Sequence, residues 1–112
     1  MNLPNASQAV IEREKIAGYL LDAAHPDNGG KAEFFGQFGF RRDNWMTLAD
    51  ALLKLAREAD VCSSSSSAHG RKFVIVGQIE TPSGRTVTVQ TIWIMDTGAA
   101  VARLVTAYPA RE

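Results

Sequence analysis

The feature that most constrains the fold is a change of hydrophobic period across a run of five serines, Ser63–Ser67. Before the run, Trp45, Leu48, Ala49, Leu52, Leu53, Leu55 and Ala56 recur at helical spacing up to about Ala59, with Asp43 or Asn44 available as the cap. After it, Lys72–Glu80, Arg85–Met95 and Ala102–Tyr108 are rich in β-branched and aromatic residues. They are separated by the turns Thr81-Pro82-Ser83-Gly84 and Asp96-Thr97-Gly98. Helices first and closely connected strands afterwards predict an α+β fold, N-terminal helices packed on a C-terminal antiparallel β-meander, with one sheet face covered. The 112 residues are the length of a single domain: a helical part at about 8–60, a serine-rich loop at 62–68 and a sheet at about 71–108.

Two further helices are expected upstream. Pro4 and Asn5 imply an extended start, and Ala9-Val10-Ile11 fits either a short strand or a first helical turn. From about Arg13, the residues Ile16, Ala17, Tyr19, Leu20 and Leu21 give an apolar helix face that ends near His25-Pro26, because the residue before proline avoids helical geometry. Asp27-Asn28-Gly29-Gly30 makes a turn, and a short helix from Gly30 or Lys31 carries Phe34, Phe35 and Phe38 into the core. In the strands, alternation sets Val87, Val89, Thr91, Trp93 and Met95 on one face, and Leu104, Thr106 and Tyr108 opposite Arg103, Val105 and Ala107. A face bearing threonines, Trp93 and Tyr108 is expected to form a shallow polar and aromatic groove.

Twelve basic residues balance twelve acidic ones, so no global field draws the chain to nucleic acid, and any RNA contact must rely on local clustering. No apolar stretch approaches the ~20 residues a bilayer span requires, so no membrane partner is expected. The single Cys62 forms no internal disulfide and suits a reducing compartment, which makes the expected location cytoplasmic. Only His25 and His69 stand beside the carboxylates, in no metal-binding spacing; no metal and no cofactor are expected.

Chemistry concentrates in His25-Pro26-Asp27-Asn28-Gly29-Gly30-Lys31. An imidazole titrates near neutral pH and can act as acid or base, although a histidine at a helix end can equally serve as a cap. Lys31 follows a glycine pair whose backbone NH groups attract phosphate oxygens, without the spacing of a P-loop; it fits an exposed first-turn lysine as well. Arg41-Arg42 could join Lys31 in clamping a polyanion. Arg103 within a strand could stabilise a phosphate transition state, with Thr91, Thr106 and Tyr108 as hydroxyl donors, or could simply pair with an acid.

The ordered set Leu3-Pro4-Asn5-Ala6, Lys15-Ile16-x-Gly18-Tyr19-Leu20-Leu21, His25-Pro26, Gly30-Lys31-Ala32 and Phe34-Phe35 resembles an uncharacterised bacterial domain family. Its members are small standalone proteins, often with a small partner, and C-terminal modules of polymorphic toxins. Thr81-Pro82-x-Gly84-Arg85, Thr91-x-Trp93-Ile94-x-Asp96 and Arg103–Pro109 carry the resemblance through nearly the whole chain. The layout also looks like the barnase-EndoU-colicin-RelE group of ribonucleases. That resemblance implies a toxin-type, metal-independent endoribonuclease of a toxin–antitoxin or toxin–immunity pair, with RNA as substrate and a small cognate antitoxin or immunity-like protein as partner. His25, Lys31, Arg103 and Thr106 would then be catalytic, and Lys15, Thr91, Trp93 and Tyr108 would bind substrate. The alternative is a noncatalytic protein-interaction module that docks a small partner on its sheet edge or aromatic groove.

Overall fold

Three α-helical segments precede four strands in the computed structural model, which describes residues 1–110. They are α1 (Arg13–Lys15), α2 (Lys31–Gly36), α3 (Trp45–Glu58), β1 (Ser63–Ser67), β2 (Gly70–Glu80), β3 (Thr86–Asp96) and β4 (Arg103–Pro109). The strands form one antiparallel sheet in the order β1-β2-β3-β4, so the expected α+β arrangement of helices followed by a meander is what the chain adopts. Arg111 and Glu112, the last two residues of the expected domain, lie outside the described residues.

The core is made where α3 crosses the sheet. Leu48, Ala49, Leu52, Leu55 and Ala56 form the buried stripe of α3 and meet Phe73, Ile75, Ile79, Val89 and Trp93 of β2 and β3. Each fully buried leucine there contributes about 1.5–3 kcal/mol. Gly77 lets the helix close on β2, since a Cβ at that position would fall 2.5 Å from Leu55 Cδ1. Phe35 and Phe40 are buried beside this core while Phe34 and Phe38 are half-buried against it.

Three sequence expectations are corrected. The serine run is no loop: it is the edge strand β1, paired from Ser63↔Val74 to Ser67↔Gly70 around Ala68-His69. All five serines are exposed, so backbone pairing with the projecting start of β2 makes the strand, against weak side-chain propensity. Second, the face with Val89, Thr91 and Trp93 is the core face: all three are fully buried and form no aromatic groove. Third, β4 does not alternate simply. Trp93 pairs with Leu104 and Ile92 with Thr106, leaving Val105 as an extra residue. That bulge turns Leu104 and Ala107 inward and puts Arg103, Thr106 and Tyr108 together on the outer face.

At the other edge of the sheet, Val10 adds one parallel bridge to β4. Its N–H donates to Ala102 O at 3.0 Å, and Leu104 N–H donates to Val10 O at 3.1 Å. The N-terminal segment is thereby held against the strand that carries Arg103 and Thr106. Among the described residues, no helix is long and apolar enough to cross a membrane.

Candidate functional site

The helix begun by α1 does not continue as an α-helix. Ile16–Leu20 is a π turn, closed by Leu21 N–H donating to Ile16 O at 2.8 Å. A π turn holds one more residue per hydrogen-bonded ring, which shifts the side chains around the axis. Ile16, Ala17 and Leu20 stay buried while Tyr19 reaches β4, its hydroxyl 3.0 Å from Thr106 Oγ1. Arg42 Nε donates to Ala17 O at 2.9 Å, so this half of the Arg41-Arg42 pair braces the turn.

The loop from His25 to Lys31 is fastened to the same turn by Asn28, which is 3% exposed. Its Nδ2 donates to Tyr19 O at 2.6 Å and to Leu20 O at 3.3 Å, and its Oδ1 accepts from Ala32 N–H at 2.9 Å, capping the start of α2. Lys31 Nζ donates to Asn28 O at 3.1 Å and lies 5.6 Å from the Tyr19 ring centre, with Lys15 Nζ at 5.3 Å from the same ring. His25 meets Tyr19 edge-on at 5.0 Å between ring centres. Two ammonium groups and an imidazole thus surround one phenol.

Beside this cluster opens a cleft of about 770 Å³ lined by Lys15, Gly18, Tyr19, His25, Arg103 and Thr106 together with the carboxylates Glu12, Glu14 and Asp27. His25 Nδ1 accepts the Asp27 backbone N–H at 3.0 Å, so in the neutral ring the proton sits on Nε2. Gly18 admits the Glu14 carboxylate: an added Cβ would lie 2.5 Å from Glu14 Oε2.

Arg103 lines the cleft but is already engaged. Nε and Nη2 donate to Asp96 Oδ2 and Oδ1 at 2.9 and 3.2 Å. The bidentate hydrogen bond holds the Asp96 carboxyl below the usual carboxylate range and raises Arg103 further. Lys15 and Lys31 form no ion pair with the described residues and are the less committed cations.

The structure therefore lines the cleft with Lys15, His25, Arg103 and Thr106, sets Lys31 beside it over the Tyr19 ring but outside the lining, and separates the three other expected site residues from it. Thr91 and Trp93 are fully buried on the core face: Trp93 Nε1 donates to Thr91 Oγ1, and that hydroxyl donates to Ile75 O, each at 2.9 Å. Their polar atoms satisfy one another, and neither is available to a substrate. Tyr108 is half-buried on the outer face, outside the cleft lining, where Gln90 Nε2 donates to its hydroxyl at 2.7 Å. Tyr19 and Asn28 were not legible as site residues. The first reads as one more apolar position of a helix and the second as turn composition.

A second groove, of about 700 Å³, runs between α3 and the β2–β3 hairpin, past Asp50, Lys54, Glu58 and Glu80. It contains no imidazole. Among the described residues, no three His, Cys, Asp or Glu side chains cluster where a metal ion could be held.

Residues 2–111 match DUF6883, a domain of unknown function, and the chain belongs to that family. Among solved structures it is similar to a chain of a contact-dependent growth inhibition toxin–immunity protein complex from Klebsiella pneumoniae 342. The TM-score is 0.75 at 14% identity, over 91% of this chain and 100% of that one, a likeness of fold. No curated protein sequence matches the chain.

Proposed function

We propose that this chain is a toxin-class domain that cleaves RNA at the Tyr19 cleft with its own acid–base groups, as a metal-independent endoribonuclease restrained by a small cognate antitoxin or immunity-like protein. The observation that carries this reading is the Tyr19–Thr106 hydrogen bond, around which Lys15, His25 and Lys31 converge. The likeness of fold to a chain of a toxin–immunity complex supports the same class.

In this reading a phosphodiester lies against Thr106 and the two ammonium groups. The ribose 2′-hydroxyl gives its proton to the Glu14 carboxylate as the O2′–P bond forms. The P–O5′ bond breaks, and the departing 5′-oxygen takes a proton from the Lys15 or Lys31 ammonium. His25 Nε2–H donates a hydrogen bond to a nonbridging oxygen as charge develops there. The products are a 2′,3′-cyclic phosphate and a 5′-hydroxyl. His25 enters as a donor and not as the base, because Asp27 N–H occupies the Nδ1 lone pair.

Expression in a bacterial host tests it. Wild type slows growth and fragments RNA, Lys31→Ala and His25→Ala relieve both effects, and His25→Gln, which keeps a donor, falls between. Normal growth with intact RNA in cells holding soluble wild-type protein contradicts the reading. One observation favours the noncatalytic alternative: β1 leaves its outer edge unpaired, a row of backbone donors and acceptors that a partner strand could join. Partner binding that persists in a variant charged at Ser65 would remove that support.

A further inference from the structure

Thr106 and Tyr108 share the outer face of β4, and β3 sets Ile92 opposite Thr106 and Gln90 opposite Tyr108. We propose that the Gln90–Tyr108 pair is a nucleobase subsite adjoining the cleft, which rests on the reading of the cleft as an RNA site. Thr106 and Tyr108 are two residues apart, about 6.7 Å along the strand. A nucleotide bridges such a span between its phosphate and its base. A phosphate held at Thr106 and Tyr19 therefore delivers the attached base to Tyr108.

The chemistry at that place suits a base. Tyr108 and Gln90 are both half-buried and lie on the face away from α3. The Tyr108 hydroxyl accepts from Gln90 Nε2 at 2.7 Å and keeps its own proton to donate outward. Gln90 Oε1 makes no hydrogen bond with the described residues and is an acceptor beside that donor. Side by side they complement the donor and acceptor groups of a base edge, as amide side chains do elsewhere. The phenol ring supplies a surface for stacking, and the half-buried Ile92 an apolar floor next to Thr106.

Two-dimensional NMR of the intact chain tests this by comparing inorganic phosphate with nucleoside 3′-monophosphates. Both ligands should move the Thr106 amide signal, and only the nucleotides should move the Gln90 side-chain amide and the Tyr108 ring signals. Tyr108→Leu should weaken nucleotide binding about tenfold, the scale of one stacked base, and leave phosphate binding unchanged. Should nucleotides shift Thr106 but leave Gln90 and Tyr108 still, the subsite is overturned and the cleft reading survives. Should neither ligand shift any of the three, both fall. The wild-type shifts decide the matter even if Tyr108→Leu does not fold.

Discussion

Thr91→Val isolates a polar contact in the core without changing its shape. The substitution replaces a hydroxyl by a methyl group at a position with no exposure, so it opens no cavity. It removes the donor to Ile75 O and the acceptor for Trp93 Nε1–H, both bonds being 2.9 Å long. The first loss costs about 1 kcal/mol, and an indole N–H left without a partner in an apolar interior costs about 1–3 kcal/mol more. The expected destabilisation is therefore about 2–4 kcal/mol. Urea unfolding followed by far-ultraviolet circular dichroism should show the midpoint falling by roughly 1–3 M with the slope unchanged, given slopes of about 1–3 kcal/mol per M. Thr91→Ser keeps both hydrogen bonds and should lose only about 1 kcal/mol, the worth of one methyl group. Trp93→Phe removes the stranded donor, so the double variant with Thr91→Val should lose less than the two single losses added together. A Thr91→Val chain as stable as wild type, with nucleotide binding impaired instead, would refute the burial argument and return Thr91 to the site.

The other predictions concern the loop, the helix contact and acid. Asn28→Ala deletes two donors and one acceptor and should cost about 2–3 kcal/mol in urea unfolding. The same variant should sharpen the NMR signals of His25 and Lys31 toward loop-like values, as their anchor to Tyr19 is lost. Gly77→Val drives a side chain into Leu55 and should cost about 1–3 kcal/mol, read as a lower melting temperature. Asp96 has its folded pKa lowered by Arg103, so its contribution to stability is complete above the ordinary carboxylate range near pH 4 and is lost as pH falls through the lowered folded value. A pH series of melting temperatures should show a small acid-side loss in wild type that is missing in Asp96→Asn.

The parts of the fold that were legible are those with a strong period. α3 follows from leucines at helical spacing, and β2 to β4 follow from β-branched runs punctuated by Pro and Gly turns. β1 was not, because serine carries no strand signal and the segment is a strand only through the backbone groups that Gly70 to Val74 present to it. The candidate site was half legible. His25, Lys31, Arg103 and Thr106 stand out by residue type, but what unites them is two irregularities of one residue each, the π turn at Ile16–Leu20 and the bulge at Val105. Neither has a compositional mark, and each moves side chains off the face that regular geometry assigns. Thr91 and Trp93 misled for the opposite reason: two polar groups that satisfy each other can sit in a core as easily as in a groove.

The most direct test of the account is end-group analysis of a defined RNA incubated with the purified chain in a chelator. Wild type should yield fragments ending in 2′,3′-cyclic phosphate and beginning with 5′-hydroxyl, reduced at least tenfold in Glu14→Gln and in Lys15→Ala/Lys31→Ala. RNA left whole by folded wild-type protein, or cleaved equally by these variants, would contradict it.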